Sequence, residues 1–362
     1  MSRIKTASAE SQMPADQTLG LLDRWGRRAV AAQIAGMRRG ELTIHDPLGV
    51  ARFGNTPGES PEGELRAVLR IHRGRFYREA LLGGTLAFAE TYFRGDWDCD
   101  DLTTLFRISI RNMAESDGLD RGLPRLATAV RRVVHWLRSN TRQGSRKNIR
   151  AHYDLGNDFF ALWLDDTWAY SSGIFPSQDA SLRSASLEKF NRACRKLDLQ
   201  PDDHLLEIGA GWGGLALHAA EQFGCRVTTT TISDQQYDVA RKRIFAADMN
   251  HRISLLKQDY RDLTGRFDKV ASIEMIEAVG HRNFDDFFGR CGSLLRDDGS
   301  LLVQAIVMPE RRYAGYLKSV DFIQKYVFPG GCLPSLAAML DSLGRADGFA
   351  LRACRRLRAA LR

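Results

Sequence analysis

Residues 205–214 read Leu-Leu-Glu-Ile-Gly-Ala-Gly-Trp-Gly-Gly. This stretch constrains the fold most: an apolar run breaks into Gly209-x-Gly211-x-Gly213 and continues as a helical pattern. Strand, glycine turn and helix in that order bring bare backbone close to a ligand at the carboxyl edge of a parallel sheet. The surrounding chain repeats the rhythm. Strands are expected at His204–Ile208, Arg226–Thr230, Ile253–Lys257, Lys269–Ile273 and Ser300–Ile306. Helices are expected at Gly213–Gln222, Asp234–Met249 and Phe284–Leu295. Such alternation with short links implies an α/β doubly wound sheet covered by helices on both faces.

Dinucleotide enzymes use a similar glycine turn, but three features of this one point elsewhere. No Lys or Arg stands in the loop to meet a pyrophosphate. Glu207 precedes the first glycine, where a carboxylate can meet the amino end of a methionine moiety. The second strand ends in Thr231-Ile232-Ser233 with Gln235 and Gln236 following, not in an acid placed to grip a ribose. Short polar groups beside an apolar one suit ribose hydroxyls and an adenine face. S-adenosylmethionine is the cofactor these features predict. Ser233 or Asp234 also serves as the N-cap of the next helix. Asp259-Tyr260, after the third strand, offers an acid for an adenine amino group and a ring to stack on it; exposed loop residues are the commoner case.

Glu277 lies just past the fourth strand, at the edge where open α/β sheets keep ligands. Ile276, Ala278, Val279 and Gly280 surround it, so its carboxylate is expected in poorly solvated company, as functional carboxylates often are. The plain alternative is a helix-starting surface acid, and that reading is stronger for Glu274. His281, after a glycine, reads as simply exposed.

The chain divides into a leader (1–20), a small α+β region (21–120), a basic connector (121–150), the glycine-loop domain (151–352) and a basic tail (353–362). The second region carries a helical run at Leu21–Met37, short alternating pieces at Glu41–His45 and Leu65–Ile71, and a Gly-punctuated apolar stretch ending in a helix. From Arg121 to Arg150 there are nine Lys/Arg and no acid, interleaved with apolar residues and Trp136. A net charge of +8 adds to that bias. The connector suits the headgroup zone of an anionic bilayer, with a solvated linker as the plain alternative. No nucleic-acid-binding motif occurs, so no nucleic acid partner is expected. The six cysteines form no CxxC pair, which argues against a disulfide framework and a zinc site and for a reducing compartment. No apolar run approaches the roughly 18 residues needed to span a bilayer. A cytoplasmic protein, peripheral on the inner membrane face, is expected; a homodimer is left open.

Several segments together resemble the cyclopropane-fatty-acyl-phospholipid synthases, which include the mycolic acid cyclopropane synthases. They are RKNIRAHYDLGNDFFALWLDDTWAYSSGIF, LLEIGAGWGG, TTTISDQQ, SIEMIEAVGH and DFIQKYVFPGGCLPS, with GELTIHDPLGVARFG and GGTLAFAETYFRGDWDCDDLTTL in the N-terminal part. The resemblance implies a class I methyltransferase (Rossmann-like) fold after a small accessory domain. It implies S-adenosylmethionine as cofactor, an unsaturated phospholipid as substrate, and a bicarbonate ion as base. By matching motif, Glu277 would hold the bicarbonate, with backbone near Ser172 and Ile306 completing its cradle. Tyr170, Ser171, Gly209, Gly211, Thr231, Ile232, Gln236, Tyr260 and Ile273 would line the cofactor. No metal is implied.

The chain departs from the pattern in three places. Ser172 replaces a common Cys at a backbone contact. Gln304 replaces a common His; its amide still donates to an oxyanion but takes up no proton. The matching sequence is read as stopping near Arg352, before a basic end of the kind a truncated or frameshifted frame gives. The leading expectation is cyclopropanation of phospholipid acyl chains. The alternatives are a C-methyl or methylene transferase on the same chains, a small-molecule methyltransferase, and a relic that binds cofactor without turnover.

Overall fold

Burial runs differently along the strands of two separate sheets. The computed structural model describes residues 19–54, 65–112, 156–346 and 348–355. The chain divides into two compact units, Met1–Arg131 and Arg132–Arg362. The basic connector and His152, Tyr153 and Asp154 lie outside the described residues.

In the first unit, helix α1 (Leu21–Ile34) precedes strands β1 (Glu41–Asp46), β2 (Gly49–Gly54) and β3 (Arg66–Ile71). Helix α2 (Arg75–Phe93), strand β4 (Trp97–Cys99) and helix α3 (Leu102–Arg111) follow. The sheet order is β2-β1-β3-β4. β3 buries every second residue, Ala67, Leu69 and Ile71, as a sheet with one covered face requires. Those residues pack with Phe76, Tyr77, Trp97, Leu105 and Ile108.

In the second unit, helix α4 (Asn157–Ala161) and helix α5 (Leu182–Leu197) lead into β5 (His204–Ile208). Then come α6 (Gly214–Phe223), β6 (Arg226–Thr230), α7 (Asp234–Ala246), β7 (Ile253–Leu256), β8 (Phe267–Ile273), α8 (Phe284–Leu294) and β9 (Leu295–Gln304). Helices α9 (Glu310–Tyr316) and α10 (Leu336–Arg345) complete it. The five strands are all parallel in the order β7-β6-β5-β8-β9. β5 is buried along nearly its whole length because both faces are covered. Leu205 faces a layer from α5 and α6 containing Phe190, Cys194 and Leu215. Leu206 and Ile208 face Phe284, Phe287, Cys291 and Leu294 of α8. Burying each such side chain contributes on the order of 2 kcal/mol.

The elements sit where periodicity predicts them, with shifts at their ends. The helix after β6 stops at Ala246 rather than Met249. β9 ends at Gln304 rather than Ile306, because the backbone of Ile306 is drawn off to a side chain of the neighbouring loop. Strand order reverses at β5: β6 and β7 lie to one side, β8 and β9 to the other. Ligands of open α/β sheets bind outside the carboxyl ends at such a switch point.

Candidate active site

The loop after β5 is shaped by three glycines in left-handed conformations: Gly209 (φ 99°), Gly211 (φ 51°) and Gly213 (φ 85°). The N–H groups of Gly209 and Ala210 both donate to the Thr230 carbonyl (3.1 and 2.8 Å), fixing the loop to the end of β6. A Cβ on Gly209 would lie 3.1 Å from Met275 Cγ, whereas one on Gly211 would meet nothing within 4 Å. The loop is thus closed on one side and bare on the other. At the end of β6, the Thr231 hydroxyl donates to the Gln236 side-chain oxygen (2.9 Å). Ser233 caps α7 through the Gln236 N–H, as expected. Thr231 and Gln236 are buried and Ile232 is half-buried beside them.

Four candidates on this side are held by contacts that the sequence alone does not show. Glu207 is not a carboxylate at the loop mouth. Its register partner is Thr229, so the two side chains share a sheet face, and the Thr229 hydroxyl donates to Glu207 Oε2 (2.6 Å). Complete burial there pushes the carboxyl up to about 8. The Tyr260 ring packs edge-on against Phe287 at 5.7 Å. The Asp259 carboxylate is engaged by the Arg261 guanidinium at 2.9 and 2.7 Å. Ile273, the last residue of β8, packs against the apolar layer of α5 and α6.

Across the switch point, β8 and β9 run side by side to Ile273 and Gln304. The next residue, Glu274, has φ 49°, a left-handed backbone rare outside glycine. Its N–H donates to the Gln304 carbonyl (2.8 Å). Its Oε1 accepts from Ser172 N–H (3.2 Å), Ser172 Oγ (3.1 Å) and Gln304 Nε2 (2.9 Å). Glu274 is therefore no helix-starting surface acid. Glu277, in the short 3-10 turn Ile276–Ala278, accepts from Ile306 N–H at 2.6 Å through Oε1. Its Oε2 is buried with no hydrogen-bond partner. Burial, opposed by the Ile306 N–H and aided by nearby Glu274, pushes the Glu277 carboxyl up to about 7.

Loop 170–174 delivers Ser172 to this pair. Ile174 N–H donates to the Ala185 carbonyl at 3.0 Å. Gly173 permits the approach, since a Cβ there would stand 2.8 Å from that of Ala185. Behind the loop, the buried Lys189 ammonium of α5 donates to the Ser171 hydroxyl. Burial lowers Lys189 to about 8, against the pull of Glu274, Asp165 and Glu207. Arg243 clamps the same segment to the glycine loop, donating to the carbonyls of Trp212 (2.6 Å), Thr167 (3.1 Å) and Asp166 (3.0 Å).

Tyr170 belongs to a cluster of rings. Phe160 lies 5.2 Å from Tyr170 and 5.0 Å from Trp212; Trp163 is 5.4 Å from Tyr170. Phe328 stacks on Tyr170 at 6.4 Å and 21°. Burial, with Glu274 nearby, pushes the Tyr170 hydroxyl up. Trp212 donates through its indole N–H to Asn157 at 2.8 Å, anchoring α4.

The three donors expected around a bicarbonate are thus engaged. Ser172 N–H and the Gln304 amide serve Glu274, and Ile306 N–H serves Glu277. Two carboxylates at one place also oppose a third anion. These residues do not fit a bicarbonate lodged among them. Sequence reasoning missed Glu274, Lys189 and the ring cluster as site features; the signal for the last was the spacing of Phe160, Trp163, Tyr170 and Trp212. Among the described residues, no group of His, Cys, Asp and Glu is placed to hold a metal.

The family model for mycolic acid cyclopropane synthetase matches residues 140–361, past the Arg352 where the resemblance was read as ending. Tuberculostearic acid methyltransferase UfaA1 of Mycobacterium tuberculosis is 36% identical over 340 residues, 89% of this chain and 76% of that one. Cyclopropane-fatty-acyl-phospholipid synthase of Escherichia coli is 34% identical over 287 residues, 79% of this chain and 72% of that one. The crystal structure of mycolic acid cyclopropane synthase CmaA1 complexed with SAH and CTAB superimposes with a TM-score of 0.53 at 31% identity. That match covers 57% of this chain and 76% of CmaA1. A doubly wound sheet, a glycine loop at its switch point and these matches agree, and the chain belongs to the mycolic acid cyclopropane synthetase family.

Proposed function

We propose that this S-adenosylmethionine-dependent methyltransferase is a cyclopropane-fatty-acyl-phospholipid synthase, adding a methylene across the cis double bond of an unsaturated phospholipid acyl chain. The observation that carries the reading is the buried, unpartnered Oε2 of Glu277 at the sheet's switch point. A carboxyl whose proton affinity is raised to about 7 is poised as a general base near neutral pH.

S-adenosylmethionine, when bound, supplies the electrophilic methyl that the alkene attacks. Gly209, Gly211, Thr231, Ile232 and Gln236 would hold it: the bare side of the loop leaves room that a Cβ at Gly211 would enter. Tyr170 and Ser171 would border it from the loop that Lys189 supports. The rings of Phe160, Trp163, Tyr170 and Phe328 offer π faces to the cation left on the acyl chain, and they exclude the water that would add to it. Glu277 takes a proton from the transferred methyl group, and the C–H electron pair closes the three-membered ring. Ser172, Gln304 and Ile306 hold the two carboxylates in place. No step is assigned to bicarbonate.

An acyl substrate is supported by the apolar edge beside Glu277, where Ile306 is 51% and Val307 46% exposed, and by the Escherichia coli relative's name. No described helix is long and apolar enough to cross a membrane. The enzyme reaches its lipid as a peripheral visitor to an anionic bilayer at the cytoplasmic face, with the basic connector as its contact. A C-methyl or methylene transfer to the same chains is the second reading, favoured by the relative named as a tuberculostearic acid methyltransferase. The two differ in when the methyl proton leaves: at once, closing the ring, or after a hydride shifts from the methylated carbon to its neighbour, leaving a methylene branch.

Gas chromatography–mass spectrometry of fatty acid methyl esters from cells expressing the chain tests the reading. The expected product is one methylene heavier than the monounsaturated ester and ring-bearing. A methylene branch at the same mass, or a saturated methyl branch two hydrogens heavier where a cellular reductase follows, moves the reading to the second reaction. An unchanged lipid profile, with no pelleting on anionic vesicles, sinks both.

A further inference from the structure

We propose that Glu274 is the resident anion of this site: its carboxylate fills the place between Ser172 and Gln304 that the resemblance gives to bicarbonate, and the proton passes to Glu277 with no bicarbonate bound. The inference rests on the proposed function for its chemistry and on geometry alone for the occupancy.

Four observations converge on Glu274. One oxygen accepts from a backbone N–H, a hydroxyl and a side-chain amide supplied by residues 102 positions earlier and 30 later in the chain. That is the donor set of a small-anion site, filled from within. The residue reaches it from a left-handed backbone, a conformation that persists only where the surroundings enforce it. Gln304 fits the same reading. An amide holds a carboxylate by donation and offers no group to take up a proton. The buried Lys189 ammonium, joined to Ser171 and interacting with Glu274 and Glu207, supplies the positive charge that lets a second carboxylate stand beside Glu277. In this arrangement Glu274 positions and tunes, and Glu277 is the catalytic base. One proton leaves the alkylated chain, one arrives at Glu277, and no co-reactant is needed beyond the methyl donor.

The experiment uses the full chain with ¹³C-labelled bicarbonate, followed by NMR line broadening, for wild type, Glu274→Gln and Glu274→Gly. Glycine adopts the left-handed backbone freely, so the last variant empties the place without straining the fold. Wild type and Glu274→Gln are expected to leave the bicarbonate signal sharp, and Glu274→Gly to broaden it in the millimolar range. Turnover on vesicles of dioleoyl phosphatidylglycerol and dioleoyl phosphatidylethanolamine in carbon dioxide-free buffer adds the second readout. Wild-type rate is expected to be unchanged by added bicarbonate. In Glu274→Gln the acid limb of the rate profile moves to lower pH, because Glu277 loses a like charge. Bicarbonate binding by wild type, failure of Glu274→Gly to bind it, or an unmoved pH profile in Glu274→Gln overturns the proposal. Absent lipid turnover with the binding pattern intact removes the proposed reaction and leaves the resident anion standing.

Discussion

The glycine loop after β5 and the carboxylate pair after β8 stand at one edge of the same sheet, yet they are built by different means. The loop is backbone geometry, three left-handed glycines in a turn tied to the Thr230 carbonyl through the N–H groups of Gly209 and Ala210. The carboxylate side is made of side chains brought together from positions 172, 189, 274, 277, 304 and 306. A backbone device tolerates change in its neighbours but not in its glycines. A side-chain device fails at whichever group carries the chemistry and adjusts elsewhere. The two sides are therefore expected to respond to substitution in different observables, binding on one and turnover on the other.

The largest effect falls on the carboxylate side. Glu277→Gln keeps the acceptor for Ile306 N–H and removes the base. Turnover on unsaturated phospholipid is expected to fall about 10²- to 10⁴-fold, with S-adenosylmethionine affinity unchanged in calorimetry. Equal losses in both would mean that Glu277 serves the fold or the cofactor, and would break the contrast.

Next is Gly209→Ala. At φ 99° a side chain is strained whatever the space, and the new Cβ presses on Met275 at 3.1 Å. A cost of about 1–3 kcal/mol is expected, read as a lower melting temperature together with weaker cofactor binding. Loss of stability with affinity intact would show the loop to be a structural turn only.

How much of this was legible follows from the same contrast. Glycine spacing, the polar end of β6 and the strand–helix rhythm are local, so the sheet, the switch point and the Gly209, Gly211, Thr231, Ile232 and Gln236 surface could be read directly. Glu277 could be read because its apolar neighbours are adjacent in sequence. Glu274 could not: its donors lie 102 residues before and 30 after it, and alone it looks like any acid after a strand. Glu207 was misplaced for a related reason. Its environment is set by register with Thr229 and by Lys189 on α5, neither visible from the loop that follows it.

That burial gives a pH test. In the fold, Glu207 and Glu277 keep their protons up to about 8 and about 7, while the unfolded chain releases them near 4.5. Between these values the folded chain binds more protons, so this contribution to stability is full below about 4.5 and is lost as pH rises to about 8. Lys189, lowered to about 8 from 10.5, contributes stability that is lost as pH falls between those values and is level below 8, so it does not offset the decline. Glu207→Gln keeps the Thr229 bond and removes one titration. Urea unfolding at pH 5 and pH 7.5 should show the wild-type difference shrinking by about 3 kcal/mol in the variant. An undiminished slope would place the titration elsewhere.

The smallest expected effect is the sharpest check on the ring cluster. Asn157→Ala removes the acceptor of the Trp212 indole N–H and leaves a donor without that partner beside the buried rings of Phe160 and Trp212. The expected cost is about 1 kcal/mol, because α4 also packs through Phe160 against Trp212 and Tyr170. If the cluster shields a cation, the variant should lose more in product partition than in stability, with water-addition products appearing beside the ring product. If α4 is only a strap over the glycine loop, melting temperature and cofactor affinity fall together and the product mixture stays the same. The first outcome assigns the rings to the carboxylate side of the comparison; the second returns them to the loop.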